Sequence, residues 1–445
     1  MNLPKPFNIR NQVSAYDEAY MKDWTQVNSI MYENGMTWGA SLEETQESHY
    51  QKEAWCQYVV LSLLEMPQSE IEHAQNVSKD LFDAMQEAVL LFNSYTPKVK
   101  KQLLTEMGFS EYNQYLILNA EHLDLFSYLC RFDLVYDTKT EDYKCLEVNS
   151  ATPMGFTESA IANSVVNDYH HTTSPNKLEK GLVDMWDNIR QELNIPPDET
   201  IYFSSLRDHD EDRMNVEFQM NHAGHTGNVA FIALEDIYVD DNGLFDENQE
   251  PIKYWYKLFP VEFWEKEPKE FSHKLAKIVS EHLVTMINPI DAFLAQNKGF
   301  YAWLWSLVDD KEALISERTR ATFKRHLLPT YYHKPESMKD YVIKPIFGRE
   351  GNCVDIYKDG SIYFKDDEHE ATEYYDTQKK IYQQYIEMPD LTVESWDGAY
   401  TGKWLIGAYT LGGVPSGLYH RVGHLVTGSQ SLFLPYTQSN EVNEA

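Results

Sequence analysis

The chain has 445 residues, 13 % of them aromatic, and no run of apolar residues long enough to cross a bilayer, so it reads as a globular protein of two or three lobes. A formal net charge of −32 excludes electrostatic docking on nucleic-acid backbones or anionic membranes. It also suits a cationic small molecule, although an acidic excess spread along the whole chain serves solubility equally well. The four Cys (Cys56, Cys130, Cys145, Cys353) form no CxxC, and the start MNLPKPFNIRNQ lacks an apolar stretch, so a cytoplasmic protein with structural thiols is expected.

Residues 1–125 are expected to form a mainly helical segment packed on the body of the protein. Ser41 is placed to cap a helix running toward Glu65, and Ser69-Glu70-Ile71-Glu72 has capping-box spacing. Val77, Leu81, Met85 and Val89 recur every four residues, as one face of a helix does. No chemistry is evident in this segment.

Residues 126–285 are expected to hold a hairpin and a substrate lobe. The run RFDLVYDTKTEDYKCLEVNS, residues 131–150, reads as two strands around a polar turn at 138–142. Side chains at i and i+2 share a strand face, so Arg131 lies with Asp133 and Glu147 with Asn149. Pairing of the strands would put a cation, two carboxylates and an amide on one face. Hard oxygen ligands of that kind suit Mg²⁺, which takes its remaining ligands from phosphate and water. A hairpin with a polar outer face is the plainer alternative. Farther on, 200–205 and 228–234 read as strands, with a helix at 211–220 between them. The acidic run at 208–212 complements that helix's N-terminus. His222 and His225, like His170 and His171, lack further ligands nearby in sequence, and a zinc site is rejected.

Residues 286–445 are expected to form a nucleotide-binding lobe. Asn297 and Lys298 open a helical, Trp-rich segment, and strands are placed near 341–345, 352–357, 361–364, 381–386 and 403–411. Lys344 falls near the end of the first, followed by a loop carrying Gly348 and Gly351. Strand, glycine loop, strand can lay backbone N–H groups over phosphates, and Lys is a point charge suited to phosphate. Neither G-x-x-x-x-G-K-[ST] nor G-x-G-x-x-G is present.

Five segments in order carry a resemblance. They are RFD with LEVN, YKLFPVEFW at 256–264, NP-IDAFLAQNKGFYAWLW at 288–305, YVIKPIFGREG at 341–351, and IYQQYIEMP with WLIGAYTLGG and YHRVG in the C-terminal tail. Together they resemble the synthetase domain of the glutathionylspermidine synthase family over roughly residue 120 to the C-terminus. The resemblance implies an α/β (α+β) ATP-grasp fold and an ATP-dependent carboxylate–amine ligase forming an amide through an acyl phosphate. It implies two Mg²⁺ held by Asp133, Glu147 and Asn149. Lys298, Lys344 and the loop Gly348-Arg349-Glu350-Gly351 would contact the phosphates of ATP. Gln383, Gln384, Tyr385 and Ile386 would lie along the adenine, with backbone groups of Tyr385 and Ile386 bonding the base. Arg131 and Arg421 would be catalytic, and Ser150, Thr152, Glu211 and Asp212 would bind substrates: a peptide-like carboxylate and an amine, polyamines among them.

Departures from the family pattern bear on the substrate. Ala151 and Met154 stand where glutathione-using members place an Asp and a Ser, Leu405 where they place a Gln, and Ser429 and Tyr436 depart from the C-terminal pattern. Glutathione is therefore not expected as the acid. An ATP-dependent phosphotransferase and a nucleotide-binding sensor or scaffold are the alternatives.

Overall fold

The computed structural model describes residues 4–15, 17–45, 52–310, 312, 314–349, 351–365, 372–426, 428 and 431–439. Its centre is a six-stranded antiparallel sheet. Leu432–Phe433, Val414–Gly423, Gly398–Leu411, Leu129–Asp137 and Asp142–Asn149 follow one another, and Asp390–Ser395 pairs Gly398–Leu411 from the side. The hairpin thus shares a sheet with strands lying more than 250 residues later in the chain. A second, five-stranded antiparallel sheet runs Thr330–Tyr331, Lys380–Gln384, Tyr341–Pro345, Asp355–Lys358 and Ser361–Phe364. The cavity described below lies between these two sheets, lined from both.

A four-stranded parallel sheet, Thr285–Ile287, Tyr254–Lys257, Ile201–Ser204 and Val229–Phe231, forms the third unit. The helix Asp210–Ala223 makes the crossover between two of its strands, as alternation of strand and helix predicts.

In the N-terminal segment the helix Gln68–Ser94 buries Val77, Leu81, Met85 and Val89, the four residues of the sequence stripe. It packs on Gly398–Leu411, Val414–Gly423 and the helix Glu317–His326. Each such apolar side chain withdrawn from water contributes about 1.5–3 kcal/mol. The capping box at Ser69 is not formed. The helix begins at Gln68 after Pro67, without a side-chain cap.

The helix expected from Ser41 toward Glu65 is also not formed. Ala40–Thr45 and Lys52–Gln57 are antiparallel strands, and Leu63–Met66 pairs with Asn8–Arg10 and Tyr436–Gln438. Trp55, Tyr58, Val59 and Val60 favour extended backbone, and Val60 N–H donates to Phe433 O at 3.2 Å. Pairing with the far end of the chain overrides local propensity there. No helix among the described residues is long and apolar enough to cross a membrane.

Candidate active site

The sheet register assembles the polar face of the hairpin. Arg131 lies opposite Asn149 and Asp133 opposite Glu147, with a bulge after Asp133. On the other side Asp133 faces Gly407, which in turn faces Tyr419. A Cβ on Gly407 would sit 2.8 Å from Arg131 Cδ, so the missing side chain lets the arginine lie across the sheet. Arg131 Nε and one Nη donate to the two Asp133 oxygens at 2.7 and 3.1 Å, and Asn149 Nδ2 donates to Asp133 Oδ2 at 3.2 Å. Arg421 approaches the same oxygen at 3.6 Å. The guanidiniums of Arg131 and Arg421 lie 5.2 and 5.5 Å from the centre of the Tyr419 ring.

The two lysines approach from the other elements. Asn297 caps the helix Lys298–Asp309, and Lys298 Nζ sits 3.1 Å from Glu147 and 2.7 Å from Gly348 O. Lys344 Nζ donates to Gln383 Oε1 at 2.9 Å. Burial raises the Glu147 pKa, but Lys298 and Lys344 outweigh it and hold the carboxyl well below its ordinary range. Burial lowers Lys344 to about 8, with Glu147 opposing and Lys298 adding to the shift. Four cations, Arg131, Lys298, Lys344 and Arg421, thus meet two carboxylates, Asp133 and Glu147, on one cavity wall. A local surplus of two positive charges in a chain of net charge −32 is matched to a polyanion.

The donor set fits Mg²⁺ shared with phosphate. Among the described residues no group of three or more His, Cys, Asp or Glu could hold a metal alone. Asp133, Glu147 and Asn149 offer two carboxylates and one amide oxygen on one face, and Mg²⁺ bound to phosphate needs no larger protein cage.

These residues line a cavity of about 410 Å³. Beside this charged cluster the lining is apolar, with Val342 and Ile356 from the second sheet, Leu405 from the central sheet and Met388 between them in sequence, a surface suited to a flat base. Gln383, Gln384, Tyr385 and Ile386 border it where Lys380–Gln384 ends. Tyr385 N–H donates to Asp340 O at 3.1 Å, so that amide is already engaged. Gly348, Arg349 and Gly351 also line the cavity, whereas Glu350 falls outside the described residues, as does Ser429. Arg349 donates to the buried Glu262 at 2.6 and 2.8 Å and to Thr152 Oγ1 at 3.4 Å, tying the glycine loop to the parallel-sheet unit.

Thr152 and Glu211 line the cavity, and Ser150 and Asp212 do not. Ser150 is buried and its hydroxyl donates to Ala292 O at 2.7 Å, which makes it a packing residue. Asp212 sits on the first turn of its helix, 3.4 Å from the capping His209. Sequence reasoning missed Trp38, Tyr58, Glu158 and Tyr419, all in the lining. Tyr419 was within reach, being two residues before Arg421 on one strand and hence on its face. Trp38 and Tyr58 carry no such signal, because the N-terminal segment meets the site only through the fold. The segment that shows no chemistry in sequence therefore supplies part of the wall.

The model of the glutathionylspermidine synthase preATP-grasp family matches residues 19–438. A Haemophilus influenzae protein with the provisional name acid–amine ligase is 29 % identical over 320 residues, covering 69 % of this chain and 73 % of that one. A solved structure of a glutathione synthetase-like effector from Globodera pallida, in its apo form, superposes with a TM-score of 0.58 at 11 % identity, covering 96 % of this chain and all of that one. That likeness is one of fold.

Proposed function

The chain belongs to the glutathionylspermidine synthase preATP-grasp family and is an ATP-dependent C–N ligase, and on that premise we propose that it joins a small carboxylate to a primary amine through an acyl phosphate, inside the cavity between its two antiparallel sheets. The observation that carries this reading is the pair of carboxylates, Asp133 and Glu147, set among four cations on one wall.

A carboxylate is a poor electrophile, and transfer of a γ-phosphoryl group gives it a leaving group. The protein's part in such a transfer is positioning and charge neutralisation. Asp133, Glu147 and Asn149 would hold Mg²⁺, which supplies further neutralisation of the phosphates when bound. Lys298 and Lys344 neutralise phosphate oxygens, and Gln383 orients Lys344. Gly348 and Gly351 bring backbone over the phosphates, with Arg349 anchoring the loop on Glu262. The Tyr385 carbonyl and the Ile386 amide face the base. Arg131 and Arg421 flank the acyl phosphate and the tetrahedral oxyanion that follows it.

Thr152 and Glu211, both in the lining, would meet the acid and the amine respectively. Ala151 is buried and Met154 lines the cavity, so neither offers the polar partners glutathione needs in related enzymes. The acid is then a peptide-like molecule other than glutathione, and the reaction is cytoplasmic. The test is a screen of acids and amines for ADP release with mass detection of the adduct. An amide product supports the ligation proposed here, and a stable phosphorylated product would replace it with phosphotransfer.

A further inference from the structure

An amine that is protonated in solution cannot attack an acyl phosphate until it loses a proton, and among the assigned residues that line the cavity the only carboxylate outside the phosphate cluster is the exposed Glu211, placed to bind the amine. Arg131, Arg421, Lys298 and Lys344 are cations, and Asp133 and Glu147 are committed to them. The cavity holds one further deeply placed carboxylate. Glu158 lines it while only 1 % exposed.

Its setting is built. Gly155, at φ +89°, turns the chain under Tyr409, whose hydroxyl oxygen a Cβ would meet at 2.6 Å. Glu158 then opens a π-helical turn, Glu158–Ala162, a rare geometry often found at functional sites. Thr157 Oγ1 donates to one carboxylate oxygen at 2.8 Å and Tyr58 Oη to the other at 3.1 Å. Tyr58 Oη also meets Tyr419 Oη at 2.8 Å, and the Tyr419 ring is within cation–π distance of Arg131 and Arg421. An unbroken chain of contacts thus runs from the two arginines through two phenols to Glu158. Tyr58, Tyr409 and Tyr419 all lie within electrostatic reach of Glu158, with Glu211 near Tyr58 and Arg131 near Tyr409 and Tyr419.

We infer that Glu158 is the general base of the ligation, receiving a proton from a primary ammonium that the Glu211 carboxylate and the Tyr58 hydroxyl oxygen accept from at this end of the cavity. The inference rests on the ligase reading above. One N–H bond of the ammonium breaks and its proton passes to a Glu158 oxygen, which frees the nitrogen lone pair. The amine forms a C–N bond at the acyl carbon, and the tetrahedral intermediate expels phosphate with the C–O electron pair. The second proton on nitrogen leaves with the phosphate, and Glu158 returns its own to water. A carboxylate accepting two hydrogen bonds keeps lone pairs for this proton.

The test separates attack by an ammonium from attack by a neutral nucleophile. Hydroxylamine is largely unprotonated at neutral pH and needs no base. Wild type, Glu158→Gln and Tyr58→Phe are assayed with dipeptides, N-acylated amino acids and glutathione as acids, and with spermidine or hydroxylamine as nucleophile. ATP binding by calorimetry checks the fold of each variant. The ratio of amide to hydroxamate should fall about 100-fold in Glu158→Gln, and less in Tyr58→Phe, which keeps the carboxylate and loses one bond to it. An unchanged ratio in a variant that binds ATP overturns the inference and leaves the ligase reading standing. Equal loss of both products also overturns it, because Glu158 then serves activation or folding. If Glu158→Gln fails to fold, the Tyr58→Phe ratio decides in the same sense. Absence of hydroxamate and amide in wild type with every acid overturns the ligase reading itself.

Discussion

Gly407 and Asp133 stand directly opposite in the central sheet, and the space left by the glycine is filled by Arg131, whose Cδ lies 2.8 Å from where a Cβ would be. Arg131 is buried and fixed at its far end by Asp133 and by Met154 O, so it has little room to yield.

Gly407→Ala should therefore act through the arginine. Overpacking of this kind costs about 1–3 kcal/mol, and a displaced guanidinium no longer meets the acyl phosphate. The expected result is a modest fall in melting temperature with at least a tenfold fall in kcat for ADP release. Wild-type kcat in a folded variant would separate Arg131's position from turnover.

Lys344 gives a pH signature. Burial lowers its folded pKa from 10.5 to about 8, so between those values the unfolded chain binds more protons than the folded one. Stability contributed by this group therefore rises with pH through that window. Phosphate beside Lys344 favours the charged form and raises its pKa, so nucleotide binding near pH 8–9 should take up protons. Affinity should fall by up to ~tenfold per pH unit there, one proton being linked. Calorimetry in buffers of different ionisation enthalpy reads the uptake, which should vanish in Lys344→Met.

Ser150 and Thr152 should behave differently although both were expected at the substrate. Ser150→Ala removes a buried hydrogen bond to Ala292 O, a loss of about 0.5–1.5 kcal/mol in stability with KM for the acid unchanged. Thr152→Val keeps the shape of the side chain and removes the hydroxyl that meets Arg349, so it should raise KM for the acid with little change in melting temperature. Thermal melts beside steady-state kinetics check both.

How far the sequence told this in advance depends on the range of the forces involved. The hairpin was legible because strand alternation and a short turn fix which residues share a face, and Arg131, Asp133, Glu147 and Asn149 follow from that alone. The same rule puts Ser150, the immediate neighbour of Asn149, on the opposite side, and it is indeed packed against Ala292. The stripe of Val77, Leu81, Met85 and Val89 was legible for the same local reason. The segment after Ser41 was misread because its partners are distant, Val60 pairing with Phe433 and Leu64 with Pro435. Tyr58 reaches Glu158 and Tyr419 through that distant pairing, so no local pattern announced it.

Asp133→Asn separates metal binding from phosphate binding by the sign of its effect. In wild type the wall carries four cations and two carboxylates, and the substitution raises its surplus from two positive charges to three. Without metal, a nucleotide triphosphate should therefore bind the variant at least as tightly as wild type, because one repelling carboxylate is gone. With Mg²⁺, wild type gains a ligand that bridges carboxylate and phosphate, and the variant loses half of its carboxylate set. A nucleotide at ~100 times its Kd raises stability by about 2.7 kcal/mol, so the difference is readable in thermal melts with a non-hydrolysable ATP analogue. Mg²⁺ should add a further rise in melting temperature in wild type and little or none in Asp133→Asn, while the metal-free shift persists in both. An equal Mg²⁺ increment in the two proteins would remove Asp133 from the metal site. Loss of the metal-free shift in the variant would mean that Asp133 acts by holding Arg131 in place, its contact at 2.7 Å being the group that matters.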